Sequence, residues 1–226
     1  MKRILLSSLV LSLLVSLHAC KKKDNTTNTS TSVMFVNGCA GTLPGIDAKA
    51  DDRNVSGALN LTFPSNSGYR LIGAGTSVKL DYYLTNVGTP VASKTVTIET
   101  GKHYSAFAGG IVTSPTFVFT TDDLTAPGSN GAKIRFVNLS PDGLNVTANA
   151  GNNVIDSAVT TMEVSPFREV IAGVYDLKAG DPSNLSTVVS LNTRTLAAGK
   201  IYTLMLTGTT SGTGVSALQL TLISNN

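Results

Sequence analysis

Apolar and polar side chains alternate along several short stretches of this chain. Residues 78–82, 133–136 and 218–222 each carry an apolar side chain at every second position, and clusters of Gly, Pro, Asn and Ser separate such stretches. A period of two is typical of a β-strand with one buried face, and the 3.6-residue period of an amphipathic helix is almost absent. The pattern predicts an all-β protein built from antiparallel β-sandwiches.

The chain also contains an internal repeat. Three matches keep their order and are spaced by close to 100 residues: Phe-Val-Asn at 35–37 and 136–138, Ile-Gly-Ala-Gly at 72–75 with Val-Ile-Ala-Gly at 170–173, and Gly-Lys-His-Tyr at 101–104 with Gly-Lys-Ile-Tyr at 199–202. About 100 residues is a typical length for a β-sandwich domain. We therefore predict two tandem immunoglobulin-like sandwiches, residues 32–120 and 132–226, joined by a linker at 121–131.

The last of these matches predicts a central strand in each repeat. Gly-Lys has the composition of a turn that precedes a strand, and residues 201–206 carry apolar side chains on both faces, which is typical of a strand inside a packed sheet. Tyr104 and Tyr202 fill the same position in this strand. We expect both rings to be buried with their hydroxyl groups hydrogen-bonded.

The first 31 residues have a different character. Lys2 and Arg3 precede an apolar run from Ile4 to Leu17, which fits the core of a signal peptide and is shorter than the ~20 residues that span a bilayer as a helix. Leu17-His18-Ala19-Cys20 resembles a bacterial lipobox, with His18 where a small residue is usual. The resemblance implies a signal peptide at 1–19, cleavage before Cys20 and lipid on Cys20. The alternatives are an ordinary secreted protein and an uncleaved membrane helix.

Residues 20–31 are then expected to form a flexible tether behind the lipid anchor, since the stretch from Asn25 is polar and rich in Thr, Asn and Ser. Lys21–Lys23 are either a solvated spacer or contacts to anionic headgroups. The run resembles part of the export tag of some Gram-negative surface lipoproteins. The predicted location is the outer membrane of a Gram-negative bacterium, with the cell surface favoured over the periplasmic face.

Charge argues against one class of partner. The chain has 17 basic and 14 acidic residues, but five of the basic ones lie before Asp24, so the remaining body has 12 basic and 14 acidic residues and a net charge of −2. A near-neutral body without a basic stripe is atypical of proteins that bind nucleic acid.

Further motifs carry a family resemblance. Phe-Val-Asn-Leu-Ser-Pro-Asp at 136–142, Ala-Gly-Val-Tyr-Asp-Leu at 172–177 and Ala-Gly-Lys-Ile-Tyr-Thr at 198–203 resemble the family known as domain of unknown function 4397. Its members are exported bacterial proteins, often lipoproteins, with tandem immunoglobulin-like repeats. The first repeat is similar but degenerate, with Asn37-Gly38-Cys39 in place of Asn-x-Ser-Pro. The resemblance implies a fold and a location, and no activity.

Residues suited to catalysis or metal binding are sparse. His18 belongs to the predicted signal, so His103 and Cys39 remain, too few to build a zinc site. Cys39 is expected to be a small buried side chain without a disulfide partner. Asp51-Asp52 and Asp122-Asp123 are adjacent pairs, which point apart on an extended chain, so we interpret them as solvated loop charge; calcium binding is the alternative. We predict no enzyme activity, no metal and no cofactor.

A few residues are candidates for contact with a partner. Tyr69, Tyr83 and Phe167 are the aromatic residues least certain to be buried, and a place at the edge of the core is the alternative interpretation for each. Tyr83 is opposite in phase to Tyr82, so it is expected to point outward. Asp156-Ser157-Ala158 resembles a bacterial O-glycosylation site, which makes Ser157 a candidate for modification, with an ordinary turn as the alternative.

The leading functional hypothesis is a lipid-anchored, non-catalytic binding or adhesion module of the cell envelope, held to the membrane by its lipid, with an unknown protein or glycan as ligand. The alternative is a structural or accessory subunit of an envelope complex in the periplasm. A hydrolase is the third hypothesis.

Overall fold

Eight strands build repeat 1 in the computed structural model, which describes residues 31–41, 44–184 and 187–226. The predicted signal peptide, Cys20 and residues 21–30 of the predicted tether lie outside the described residues. The strands are β1 (Ser32–Asn37), β2 (Ile46–Ala50), β3 (Arg53–Asn54), β4 (Ser65–Leu71), β5 (Gly75–Leu84), β6 (Pro90–Ile98), β7 (His103–Ile111) and β8 (Ser114–Asp122).

These strands form two sheets that pack face to face. The inner sheet 1 has the order β4-β1-β7-β8, and the outer sheet 1 has the order β3-β2-β5-β6. The alternation in β5 works as predicted, because Val78, Leu80 and Tyr82 point into the core between the two sheets. Phe35 of β1 meets the Tyr82 ring edge-on at 6.0 Å between centroids.

Nine strands build repeat 2 in the same way. They are β9 (Gly131–Asn138), β10 (Val146–Ala150), β11 (Asn153–Val159), β12 (Glu163–Val164), β13 (Arg168–Ile171), β14 (Gly173–Gly180), β15 (Val189–Leu196), β16 (Ile201–Thr207) and β17 (Gln219–Ser224). The inner sheet 2 has the order β12-β9-β16-β17, with β13 also paired to β9, and the outer sheet 2 has the order β11-β10-β14-β15. The prediction of an all-β protein made of tandem sandwiches is confirmed.

Each repeat contains one pairing that the sequence did not predict. β1 pairs antiparallel with β4 but parallel with β7, and β9 pairs parallel with β16. The first strand of each repeat is therefore inserted between strands that come later in the chain. All other strand pairs of the described residues are antiparallel.

The duplication is visible in the hydrogen bonds. The backbone N–H of Glu99 donates to the Tyr104 hydroxyl at 3.0 Å, and that of Ala197 donates to the Tyr202 hydroxyl at 3.1 Å. Both bonds return to the chain five residues upstream, as in the tyrosine corner of immunoglobulin-like folds. The turns before these strands match as well, because Gly101 and Gly199 both have φ of 77°, a conformation that glycine adopts most readily.

The degenerate motif in repeat 1 keeps its local geometry. The side-chain oxygen of Asn37 accepts from the backbone N–H of Cys39 at 3.1 Å, and that of Asn138 accepts from Ser140 at 3.2 Å. Each is an Asx turn, in which the side chain replaces a backbone acceptor two residues away. Repeat 1 has Cys39-Ala40 where repeat 2 has Ser140-Pro141, and the start of the loop has the same hydrogen bond in both.

The two inner sheets pack against each other and bury a third core. Seven buried apolar side chains meet there, with Tyr69, Val118, Met162 and Val164 around them: Met34, Val36, Phe107, Val137, Leu139, Met205 and Ile223. Burying a side chain of this size contributes roughly 1.5–3 kcal/mol. The protein is thus a stack of four sheets, and both faces of each inner sheet are covered.

Glycine at position 109 permits this close approach. A Cβ atom at Gly109 would lie 2.8 Å from the Met162 sulfur and 2.9 Å from a Leu139 methyl group, closer than van der Waals contact. The backbone N–H of the next residue, Gly110, donates to the Leu139 carbonyl oxygen at 2.9 Å. A backbone hydrogen bond therefore joins the two repeats directly.

The two repeats point the same way. Along β7, Ser105 lies beside Arg135 of β9 and Gly109 lies beside Leu139 at the end of that strand, so β7 and β9 run in the same direction. The first described residue, Thr31, lies at the end where both strands begin. In the described part of the chain, no helix is long and apolar enough to cross a bilayer.

Candidate functional site

A buried polar cluster lies at the junction of the two repeats. Arg135 of β9 donates from Nη1 to Oδ1 of Asp122 at 2.6 Å and from Nη2 to the Ser105 hydroxyl at 2.9 Å. Its Nε donates to the Thr203 hydroxyl at 2.9 Å. Only 1% of the Arg135 side chain and none of the Asp122 side chain is exposed. Since a buried charge without its partner is strongly unfavourable, this cluster favours one arrangement of the repeats.

The sequence did not reveal this cluster. The alternation in β9 placed Arg135 on the polar face of a half-buried strand, and Asp122 was interpreted as solvated loop charge. Both interpretations are wrong, because inner sheet 1 covers the polar face of β9 and β8 extends to Asp122. The face of inner sheet 2 that carries Arg135 meets the other repeat instead of water.

Tyr69, a predicted ligand contact, belongs to this junction. Its hydroxyl donates to Oδ2 of Asp122 and accepts from the side-chain amide of Asn225 at 3.1 Å. Burial, followed by the neighbouring Asp122 carboxylate, raises the pKa of the Tyr69 hydroxyl. The half-buried ring packs at the edge of the third core. Its hydroxyl is thus committed to contacts between the repeats.

Phe167, the second candidate, lines a cleft of about 430 Å³ between the repeats together with Thr120, Thr121 and Pro166. The Arg135 guanidinium lies 4.4 Å from the Phe167 ring centroid, within the range of a cation–π interaction. The ring is half-buried. One of its faces is taken by Arg135, which leaves part of the ring accessible from the cleft.

Tyr83, the third candidate, does not form an open platform. It lies in phase with Lys79 and Asp81 on the outer face of outer sheet 1, as its phase predicted, but only 7% of the residue is exposed. The Lys49 ammonium lies 4.1 Å above the ring centroid and covers it. Lys49 and Tyr83 come from paired strands, so the long lysine side chain can reach over its neighbour.

Cys39 and His103 both pack against other parts of repeat 1. Cys39 is 1% exposed, as predicted, and burial raises its thiol pKa to about 12, which keeps the reactive thiolate scarce at neutral pH. The Nδ1 atom of His103 is 2.8 Å from the Ser32 hydroxyl, and the ring meets Tyr69 edge-on at 5.7 Å. Ser32 is buried, with 4% of the residue exposed, so the hydroxyl beside His103 is not open to a substrate.

The two pairs of adjacent aspartates have different surroundings in the structure. Asp123 stays at the surface, where hydrogen bonds from Thr125 and then Lys133 lower its pKa to about 2. Asp51 and Asp52 form a tight turn with φ of 47° and 63°, and Asp52 contacts the Lys79 ammonium at 3.3 Å. Within the described ranges, no group of three His, Cys, Asp or Glu side chains is placed to hold a metal ion.

Two remaining predictions concern modification. Ser157 lies exposed in β11, where its backbone N–H donates to Asp156 Oδ1 at 2.8 Å. Its hydroxyl is therefore accessible, and glycosylation there stays a prediction. Lipid on Cys20 also stays a prediction, since that residue lies outside the described part of the chain.

The end of the molecule opposite Thr31 consists of loops from both repeats. These loops follow β1 and β9 and join the hairpins β5–β6, β7–β8 and β16–β17. They carry several partly exposed apolar side chains, namely Val87, Ile111 and Val215, each 43–47% exposed. The loop at Asp142 is held across repeat 2 because its Oδ2 atom accepts from the Thr210 backbone N–H. We call this surface the far end.

Repeat 1 also contains a groove of about 750 Å³ at the end near Thr31. It opens between the edges of the two sheets, where β3 and β4 face each other, and Arg53 and Arg70 line it. The sequence contained a signal for this site, because aligning the two repeats shows a charged residue that repeat 1 lacks.

Comparison with a family model agrees with the duplication, because the model matches the chain twice. The model of the family described as domain of unknown function (DUF4397) matches residues 31–149 and again residues 132–226. No curated protein matches the chain. The crystal structure of a proposed cell adhesion protein from Bacteroides uniformis ATCC 8492 is 12% identical over 88% of this chain and 99% of that chain, with a TM-score of 0.23. So limited a superposition carries no argument about fold or function. The two family matches together span the whole described region, and this chain belongs to the family of the domain of unknown function (DUF4397).

Proposed function

We propose that this protein is a lipid-anchored, non-catalytic binding or adhesion module of the cell envelope, with an unknown protein or glycan as ligand. The observation that carries the proposal is the common direction of the two repeats. Thr31, the last residue of the predicted tether, lies at one end, and loops of both repeats meet at the other. A lipid at Cys20 would therefore leave the far end facing away from the membrane.

The buried junction supports this proposal. Domains joined by a flexible linker alone move relative to each other by default, whereas this pair shares an apolar core and the buried Arg135–Asp122 ion pair. Loops of two repeats that are held together can act as one preorganised surface, which reduces the entropy cost of binding.

The anchor and the location are tested first. Metabolic labelling with palmitate should mark the wild-type protein and not a Cys20→Ala variant. Protease added to intact cells should remove the protein if it faces outward. Protection until lysis would place it in the periplasm and favour the alternative, a subunit of an envelope complex, for which crosslinking to a stable partner is the next experiment.

The binding surface is tested with matched variants. The purified chain is screened against glycans and extracellular matrix proteins, and any ligand is retested with Ile111→Ser at the far end and with Ile171→Ser at the opposite end. We expect the first substitution to weaken binding and the second to leave it unchanged, since the two side chains are 47% and 76% exposed and neither is in a core. Equal effects, or no ligand at all, would count against an adhesion role.

A further inference from the structure

The groove in repeat 1 contains an arginine, Arg70, that has no partner among the described residues. Arg70 lies in β4 opposite Val33, so its side chain enters the space between the two sheets at their open edge. Its guanidinium packs against Gly57, where an added Cβ would lie 2.5 Å from the arginine Cζ. The Nε atom is buried without a hydrogen-bond partner, and no described carboxylate lies within ion-pair distance of Arg70.

Repeat 2 has a carboxylate beside the corresponding arginine. Arg168 lies opposite Ile134 in the same register that Arg70 has with Val33. Its Nη2 atom lies 3.6 Å from Oδ1 of Asp156. Asp156 directly follows the buried Ile155, and the corresponding residue after the buried Val55 is Ser56. Repeat 1 therefore has the arginine without the carboxylate that pairs with it in repeat 2.

The rest of the groove favours an anion. Arg53, the other arginine of the lining, is exposed and also lacks an ion pair, whereas repeat 2 has Asn153 at that position. Asp51 is the one carboxylate among the lining residues, and its Oδ1 accepts from the Lys79 backbone N–H at 2.9 Å. Two guanidinium groups against one carboxylate give the lining a net positive charge.

We propose that this groove binds a small ligand through a carboxylate or phosphate group, which takes the place that Asp156 holds in repeat 2. The planar guanidinium of Arg70 offers paired N–H donors that match either oxyanion, and charge-assisted hydrogen bonds of this kind are the strong ones. The apolar part of the ligand would contact Leu71 and Ile72 of the lining, of which Leu71 is 76% exposed. The volume of about 750 Å³ suits a small molecule.

The oxyanion could come from an anionic lipid headgroup or from a soluble acid. The groove lies at the end near Thr31, which the predicted lipid anchor would hold close to the membrane. It is also at the opposite end from the loops on which the proposed adhesion role relies. The two proposals can therefore fail independently.

The test uses the full chain in neutral detergent and four probes, with calorimetry and amide chemical shifts as readouts. The probes are inorganic phosphate, glucuronate, short-chain phosphatidylglycerol and short-chain phosphatidylcholine. Arg70→Gln removes the proposed anchor, and Ser56→Asp supplies the carboxylate of repeat 2 and should occupy Arg70 from within. Arg168→Gln, in the paired arginine of repeat 2, is the matched control.

We expect an anionic probe to bind with shifts at Gly73–Gly75, and both Arg70→Gln and Ser56→Asp to weaken that binding at least tenfold. Arg168→Gln should leave it unchanged, and phosphatidylcholine should not bind. Tighter binding of phosphatidylglycerol than of phosphate and glucuronate assigns the site to a lipid headgroup, and the reverse assigns it to a soluble acid. The proposal is overturned if no anionic probe shifts these amides, or if Ser56→Asp binds as tightly as the wild type.

Discussion

Substitution of Asp122 by Ala tests the junction most directly. The change removes the partner of Arg135 and three hydrogen bonds, from the Arg135 guanidinium, the Ser105 hydroxyl and the Tyr69 hydroxyl. Because it leaves an uncompensated charge in a site that is 1% exposed, we expect the free energy of unfolding to fall by about 3–5 kcal/mol. With a urea dependence of about 2 kcal/mol per molar, the unfolding midpoint should drop by about 2 M.

The neighbouring aspartate provides the control. Asp123 also forms an ion pair, with Lys133 at 2.9 Å, but its side chain is 58% exposed, so Asp123→Ala should cost no more than about 1 kcal/mol. The chain has no Trp, so unfolding is followed by tyrosine fluorescence and far-ultraviolet circular dichroism. A double variant, Asp122→Leu with Arg135→Met, should recover most of the loss because no charge remains buried. If Asp122→Ala and Asp123→Ala lower the midpoint equally, the stacked arrangement of the repeats is wrong.

Three further measurements follow from individual residues. In a Cys20→Ser variant, the Cys39 thiol should not react with Ellman's reagent at pH 8 until urea unfolds the protein, since its pKa is raised to about 12; reaction in the native state would contradict its burial. Gly199→Ala should cost about 1–2 kcal/mol because its φ is 77° while the space around it is open, whereas Gly73→Ala, equally open but without positive φ, should cost little. A carbon-detected titration should give Asp123 a pKa of about 2, so its stabilising contribution is present above about pH 4 and is lost as the pH falls through 2; a midpoint near 4 would show that its hydrogen bonds do not persist.

Much of the fold within each repeat could be predicted from the sequence. The period of two in β5 places Val78, Leu80 and Tyr82 in the core, and the repeated Gly-Lys-x-Tyr predicts a turn and a hydrogen-bonded tyrosine hydroxyl that both repeats contain. The predicted burial of the ring holds for Tyr104, whereas Tyr202 is half-buried. These features depend on the local pattern and on side-chain chemistry. Features of this kind are determined by a few consecutive residues, and the sequence is therefore sufficient to predict them.

The junction could not be predicted in the same way. A period of two indicates that a strand has two different faces. It does not indicate whether the polar face contacts water or another part of the protein. Arg135 looks like a solvent-facing residue because two of its partners, Asp122 and Ser105, come from the other repeat. For the same reason Tyr69 looked available for a ligand, although its hydroxyl is bound within the junction.

The groove could be predicted from the sequence only in part. The sequence alone does not place Arg70 beside Ser56, but the alignment of the repeats pairs Ser56 with Asp156 and Arg70 with Arg168. The missing carboxylate becomes meaningful only when the 3.6 Å contact in repeat 2 is known. In a duplicated chain, each repeat can be compared with the other. A difference between equivalent residues of the two repeats then points to a site at which the repeats differ in function.

The parallel pairing of β1 and β7 has a mechanical consequence. A tensile load that enters the chain at Thr31 pulls β1 along its own axis, and β1 is held by β4 on one side and by six residue pairs with β7 on the other. Hydrogen bonds between strands lie across the strand direction, so such a load strains them together in shear instead of opening them one after another. The strand that follows the predicted tether is therefore held on both sides against a load applied at Thr31.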